Sequence, residues 1–198
     1  MLFRRNDIRT GTSEEDLGAP QPEATRVAGN VRSSIGHKNS TLQELVGALN
    51  HNEHIHLPSF AKWSMHDMLT HILDHTGPAR VWITSWTITE EPVRTILQHM
   101  EEGRILSLRA LFSERVEAMN PAAHQLARFN LQVRLTKIHA KCIVVLNDKW
   151  GVTVSGSANF TRNPRIEKYV VCTHREQAIA ERTWIDAVMD GAKPFDHE

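Results

Sequence analysis

Apolar residues along this chain fall into two periods, and the change between them marks out the elements. Ser40 and Gln43 read as a capping box, and Leu42, Leu45, Val46 and Leu49 follow at helical spacing. His54-Ile55-His56-Leu57 is expected to be a short strand ended by Pro58. Ser64 caps a second helix, with Met65, Met68, Leu69 and Ile72 on one face and Gly77 just past its end. From Ala79 strands and helices alternate. Val81 to Ile88 reads as a strand, and Glu90 to Glu102 as a helix with Val93, Ile96, Leu97 and Met100 inward, closed by Gly103. Ile105 to Phe112 is a strand with mixed faces. Asn120 and Pro121 open another helix, since proline suits the first helical turn. Leu131 to Leu135, Cys142 to Leu146, Trp150 to Val154 and Tyr169 to Thr173 read as strands, and Glu176 to Met189 as a last helix before Gly191.

This order predicts an α/β fold: a mostly parallel or mixed β-sheet flanked by helices on both faces. Sheets of this kind bind ligands at the carboxyl ends of their strands. Residues 1–39 carry Gly, Ser, Thr, Pro and charges with little periodicity, and are expected to be a flexible N-terminal arm. The expected division is that arm, a small helical extension over 40–77, and the main domain over 78–198.

Composition narrows the function classes. The 198 residues, 40% hydrophobic and 23% charged, suffice for one domain plus an arm. Formal net charge is zero, so no global field draws nucleic acid. The local balance differs: from Val133 to Lys168 there are seven bases and only two acids, Asp148 and Glu167. That excess suits a polyanionic substrate. Arg4, Arg5 and Arg9 in the arm read as a solvated tail. Cys142 and Cys172 read as buried thiols in a reducing compartment. Neither a secretory leader nor a run of membrane-spanning length is visible, so a cytoplasmic protein with no membrane partner is expected. Half of the histidines lie at His51, His54, His56, His66, His71 and His75. His71 and His75 stand one helical turn apart, but no cysteine or zinc-protease glutamate accompanies them. They are expected to face solvent, and no metal or cofactor is assigned. Trp82 and Trp86, alternate residues of one strand, are assigned to the core.

The chemistry concentrates between Ile138 and Val171. His139 and Lys141, two apart on extended chain, point the same way. Two cations side by side make a poor core pair but a good site for phosphate. Imidazole attacks phosphorus or moves a proton near neutral pH, and the ammonium holds a phosphoryl oxygen. Gly156 and Ser157 are small enough for backbone and hydroxyl to approach a phosphate closely. Asn159 adds an amide with donor and acceptor, and Glu167 is expected to hold the second imidazole nitrogen and fix its tautomer. Arg162 and Arg165 are further substrate-binding candidates.

These residues resemble the signature of the phospholipase D superfamily: His-x-Lys, then Asp, then Gly-Ser-x-Asn, with a downstream acid. His139, Lys141, Gly156, Ser157 and Asn159 match, and Glu167 fits the acid. The signature's Asp position falls on Leu146, with Asp148 the nearest acid. The resemblance implies a phosphodiesterase. Family members pair two copies of the motif, one histidine attacking and one protonating the leaving oxygen. This chain carries one copy, which resembles the short bacterial nucleases that dimerise. The implied enzyme is a metal-independent endonuclease on DNA or RNA, working through a phosphohistidine in a site shared by a homodimer. A binding module that grips nucleic acid without cutting stays open as the alternative, and phospholipid hydrolysis or transfer ranks last.

Overall fold

The structure, a computed structural model, describes residues 29–37, 39–60, 63–162 and 165–191. Alternation along one strand sets its layers. Strand β6 (Cys142–Leu146) is buried at every position. Ile143 and Val145 enter one apolar cluster, and Cys142, Val144 and Leu146 enter another on the opposite face. Burial on both faces is why this strand reads as an uninterrupted apolar run.

Seven further strands join it: β1 (Asn30–Ser33), β2 (Glu53–Ser59), β3 (Ala79–Ser85), β4 (Ile105–Ser113), β5 (Gln132–Thr136), β7 (Gly151–Gly156) and β8 (Glu167–Cys172). Their order across the sheet is β1-β2-β8-β7-β6-β3-β4-β5. The β1–β2, β3–β4 and β4–β5 pairs are parallel; the other four pairs are antiparallel. Of the two expected forms, the sheet is therefore the mixed one. The motif hairpin makes the difference, because β6, β7 and β8 meet antiparallel neighbours.

The helices are α1 (Leu42–Leu45), α2 (Met65–Thr76), α3 (Glu90–Glu101), α4 (Arg115–Met119), α5 (Pro121–Asn130) and α6 (Arg175–Met189). The larger core collects Met68, Leu69 and Ile72 of α2, Val93 and Ile96 of α3, and Ala123 and Ala127 of α5. Among the described residues, α6 is the helix that covers the other face, through Ala178, Ile185 and Val188. An ion pair pins it there: Arg109 Nη1 of β4 meets Asp186 Oδ1 at 2.5 Å, and Trp82 Nε1 donates to the same oxygen at 2.7 Å.

Several boundaries depart from the sequence reading. The capping box forms one residue later, between Thr41 and Glu44, because the Glu44 carboxylate is a stronger acceptor than the Gln43 amide. The first helix stops before Leu49; Gly47 takes φ +61°, a turn conformation no helix continues through. Strand β2 passes through Pro58, whose carbonyl still accepts from Gly36 N–H at 2.9 Å although proline has no N–H to donate. The segment expected as a helical extension thus contributes β2, paired with β8, and α2, in the main core. Asn30–Ser33, inside the expected arm, forms the edge strand β1 beside β2; residues 1–28, with Arg4, Arg5 and Arg9, lie outside the described residues. His66 and His71 are buried rather than facing solvent, since α2 packs against β6, α1 and α3. Trp82 is core as expected, but β3 ends at Ser85 and Trp86 turns out of the sheet, half-buried. Both cysteines are free and buried. Among the described residues, no helix is long and apolar enough to cross a membrane.

Candidate active site

His139 and Lys141 lie in the segment leading into β6, which begins only at Cys142. The strand has the expected limits, and the pair just before it faces one way. Lys141 Nζ stands 3.1 Å from His139 Nδ1 and 3.2 Å from Nε2, and donates to the His139 carbonyl at 2.9 Å. His139 is exposed and Lys141 half-buried. Burial pulls the Lys141 pKa below the usual ammonium range, and the charge of Glu167 opposes that shift.

Two bonds hold this lead-in to its neighbours. Thr84 of β3 donates its hydroxyl to the Ala140 carbonyl at 3.2 Å. Gly156 N–H donates to the Lys141 carbonyl at 3.3 Å, tying the His-x-Lys segment to the end of β7. There the backbone of β7 comes very close to β8. A Cβ on Gly156 would stand 2.2 Å from the Lys168 carbonyl oxygen. The glycine is needed for this strand contact, a reason the sequence reading did not supply.

Ser157 then locks onto the start of β8. Its N–H donates to the Lys168 carbonyl at 3.0 Å, and its Oγ accepts from Lys168 N–H at 3.0 Å. The hydroxyl proton goes to Glu167 Oε2. Glu167 was expected on the imidazole; within one chain it meets Ser157 instead. Gly156 pairs with Tyr169, which brings Ser157 opposite Lys168 and within reach of the adjoining Glu167, while β7 lies between β8 and the His139 segment.

Asn159 is fixed by residues that the sequence reading passed over. Its Oδ1 accepts from Ser85 Oγ at 3.2 Å and from Thr87 N–H at 3.4 Å. A backbone N–H only donates, so the amide oxygen faces Thr87 and the NH2 group points elsewhere. Asn120 Nδ2 donates to Thr87 Oγ1 at 2.9 Å, steadying the same loop. Trp86 lies in this loop, with its ring centroid 5.9 Å from that of His139. The alternation that suggested a shared face with Trp82 fails because the strand stops one residue earlier.

Beside His139 opens a groove of about 630 Å³, lined by Trp86, Ser113, Glu114, Arg115, Lys137, Ile138 and His139. These residues follow the ends of the parallel strands β3, β4 and β5, where such sheets place ligands. The local basic excess is only partly here. Lys149 sits in the turn between β6 and β7, at the other end of the strands, and Arg134 reaches the Met189 carbonyl at 3.4 Å. Arg162, expected on substrate, pairs with Glu91 at 2.7 Å and Asp67 at 3.4 Å, which hold its pKa up. Arg165 is exposed. Leu146, at the signature's acid position, is buried in β6, and Asp148 is exposed in the turn beyond.

No family model matches the chain, and no curated protein does. Solved structures do. Nuc from Salmonella typhimurium, a phospholipase D family member, is 15% identical over 64% of this chain and 90% of its own, with a TM-score of 0.50. Polyphosphate kinase from Porphyromonas gingivalis is 13% identical over 73% of this chain, with a TM-score of 0.51, but the match spans only 26% of the kinase. NucT from Helicobacter pylori is 14% identical over 65% of this chain and 91% of its own, at a TM-score of 0.49. The chain has a phospholipase D-like fold.

Proposed function

We propose that this protein is a phosphodiesterase acting on nucleic acid, DNA or RNA, without a metal in its chemistry. One observation carries the reading: an exposed imidazole held within 3.2 Å of the Lys141 ammonium, at the rim of an open groove. The pair supplies a nucleophile for phosphorus and a cation for its nonbridging oxygens. The NH2 of Asn159 is the complementary neutral donor. Lys137 and Arg115 line the groove, and their charge supports binding of flanking phosphates. The fold is one that a phospholipase D family member shares.

Cleavage by a nucleophilic histidine needs an acid for the leaving oxygen, and each chain brings one His139. A second copy across a two-fold axis would bring another, with its own Lys141, Ser157, Asn159 and Glu167. One His139 then forms the phosphohistidine while the other protonates the leaving group and later activates water.

Cleavage of single- or double-stranded DNA or RNA should therefore persist in excess chelator, at a temperature well below thermal unfolding. Full loss on chelation, with recovery on adding magnesium, would overturn the reading. The burial of Leu146 where the signature has an acid favours a second reading, a module that binds nucleic acid and does not cut it. It predicts affinity without turnover in the wild-type chain.

A further inference from the structure

The end of β8 far from Glu167 gathers side chains of a different chemistry. His54 of β2 and Cys172 of β8 are cross-strand partners. Ile55, Leu57, Tyr169 and Val171 all enter the larger core, so their neighbours His54 and Cys172 lie on the other face, the one that α6 covers. His174, two residues beyond Cys172, is the residue at which α6 starts. One ligand atom from each of the three lies within 4.8 Å of the other two. His54 Nε2 stands 3.9 Å from Cys172 Sγ, and the His54 and His174 rings are 4.8 Å apart. Cys172 and His174 are buried and His54 half-buried.

Core packing does not account for this group. Two imidazoles and a thiol have little to offer one another in dry surroundings. His174 Nε2 is buried with no hydrogen-bond partner among the described residues, a cost of the kind proteins avoid without a reason. Two imidazoles and a thiol at this spacing, one imidazole nitrogen left without a partner, form a donor set that a cation would satisfy.

We propose that His54, Cys172 and His174 bind a zinc ion. One thiolate with two imidazoles is a donor set suited to zinc. Tetrahedral bonds of about 2.3 Å to sulfur and 2.0 Å to nitrogen put those ligand atoms roughly 3.5 Å apart. The 3.9 Å between His54 and Cys172 then closes by a few tenths of an ångström. Binding releases the thiol proton to solvent and leaves the fourth position to water. The ion ties β2 and β8 to the start of α6. The six residues of β8 separate it from Glu167 by roughly 17 Å at about 3.3 Å per residue, so it takes no part in phosphodiester chemistry.

The full-length chain, purified without added metal or chelator, should carry about one zinc per chain by plasma mass spectrometry. Dialysis against chelator should remove it and lower the thermal midpoint by about 5 °C or more, with recovery on adding zinc. Cobalt in its place should give thiolate-to-metal charge-transfer absorption that Cys172→Ser abolishes. Cys172→Ala, which keeps a small apolar group at a buried position, should fold yet no longer respond to zinc. A wild-type midpoint indifferent to zinc, or cobalt bound without the thiolate band, overturns the proposal. Turnover measured below the midpoint should be equal with and without zinc, so the result is read apart from the nuclease assignment.

Discussion

At Gly156 a single methyl group decides whether the site holds together. A Cβ there would stand 2.2 Å from a backbone oxygen, which cannot swing aside as a long side chain would. Gly156→Ala should therefore part β7 from β8, lowering stability by about 1–3 kcal/mol in denaturant titration, as overpacking does. It should also cost turnover, since Ser157 and Glu167 move apart. An unchanged denaturation midpoint would show that the two strands yield more easily than their packing implies. His139→Asn keeps a planar polar side chain but removes the nucleophile. Turnover should fall by about three orders of magnitude or more while binding to nucleic acid changes little. Lys141→Ala should weaken both, because its charge meets the phosphate in ground and transition states. Steady-state kinetics beside filter binding separates the two patterns. The residue types of this site were legible in sequence, because few arrangements other than phosphate chemistry place His139 beside Lys141. The partners were not. That Glu167 meets Ser157, and that Ser85 and Thr87 orient Asn159, depends on strand register and on a loop that spacing alone does not fix.

Among the elements, α2 and α3 carry the titratable cost of the fold. His71 and His99 are both held below the ordinary histidine range, chiefly by burial. Around His71 stand His75 and Asp74, and its Nε2 lies 3.3 Å from the Gly47 carbonyl. Around His99 stand Arg104, Glu102 and Asp74, with Thr70 Oγ1 at 2.9 Å. A histidine with a lowered folded pKa binds its proton more readily in the unfolded chain. Stability is then fully present above about 6.5, the unfolded value, and is lost as pH falls from there through the folded values. The thermal midpoint should drop between pH 7.5 and 5.5, and His99→Gln should flatten that slope. A midpoint rising toward pH 5.5 would contradict the burial of these rings. The second helix was legible because Ser64, an apolar stripe and Gly77 agree about its limits. Its buried histidines were not, since the stripe of Met65, Met68, Leu69 and Ile72 marks one covered face and says nothing of what α1 and α3 cover besides. Helix α4 was missed for want of a stripe: five residues with one buried side chain leave no period to read.

For the whole molecule the open quantity is how many chains make one site. A single motif supplies one His139, and its exposure leaves that face available to a second copy. The reading requires the active species to be a dimer through this face, which sedimentation at micromolar concentration would detect. Mixed dimers then test whether the two histidines share a site. One chain carries His139→Asn and a removable tag, and the heterodimer is isolated by that tag. If attack and protonation need one His139 from each chain, the heterodimer lacks one of the two roles and should lose most of its turnover, as the double variant does. If each chain works alone, simple counting of intact sites leaves about half of the wild-type rate, because distant independent sites add. Exchange of chains during the assay would re-form wild-type dimers and raise the rate toward about a quarter of the wild-type value by simple counting, so the heterodimer is diluted and assayed over a range of times. A shared site predicts activity that rises from near zero as wild-type dimers re-form, whereas independent sites predict a constant half. Constant half activity in a stable heterodimer would leave the leaving-group acid to be found within one chain, among Lys141, Glu114 and Glu167 around the groove and the Ser157 turn.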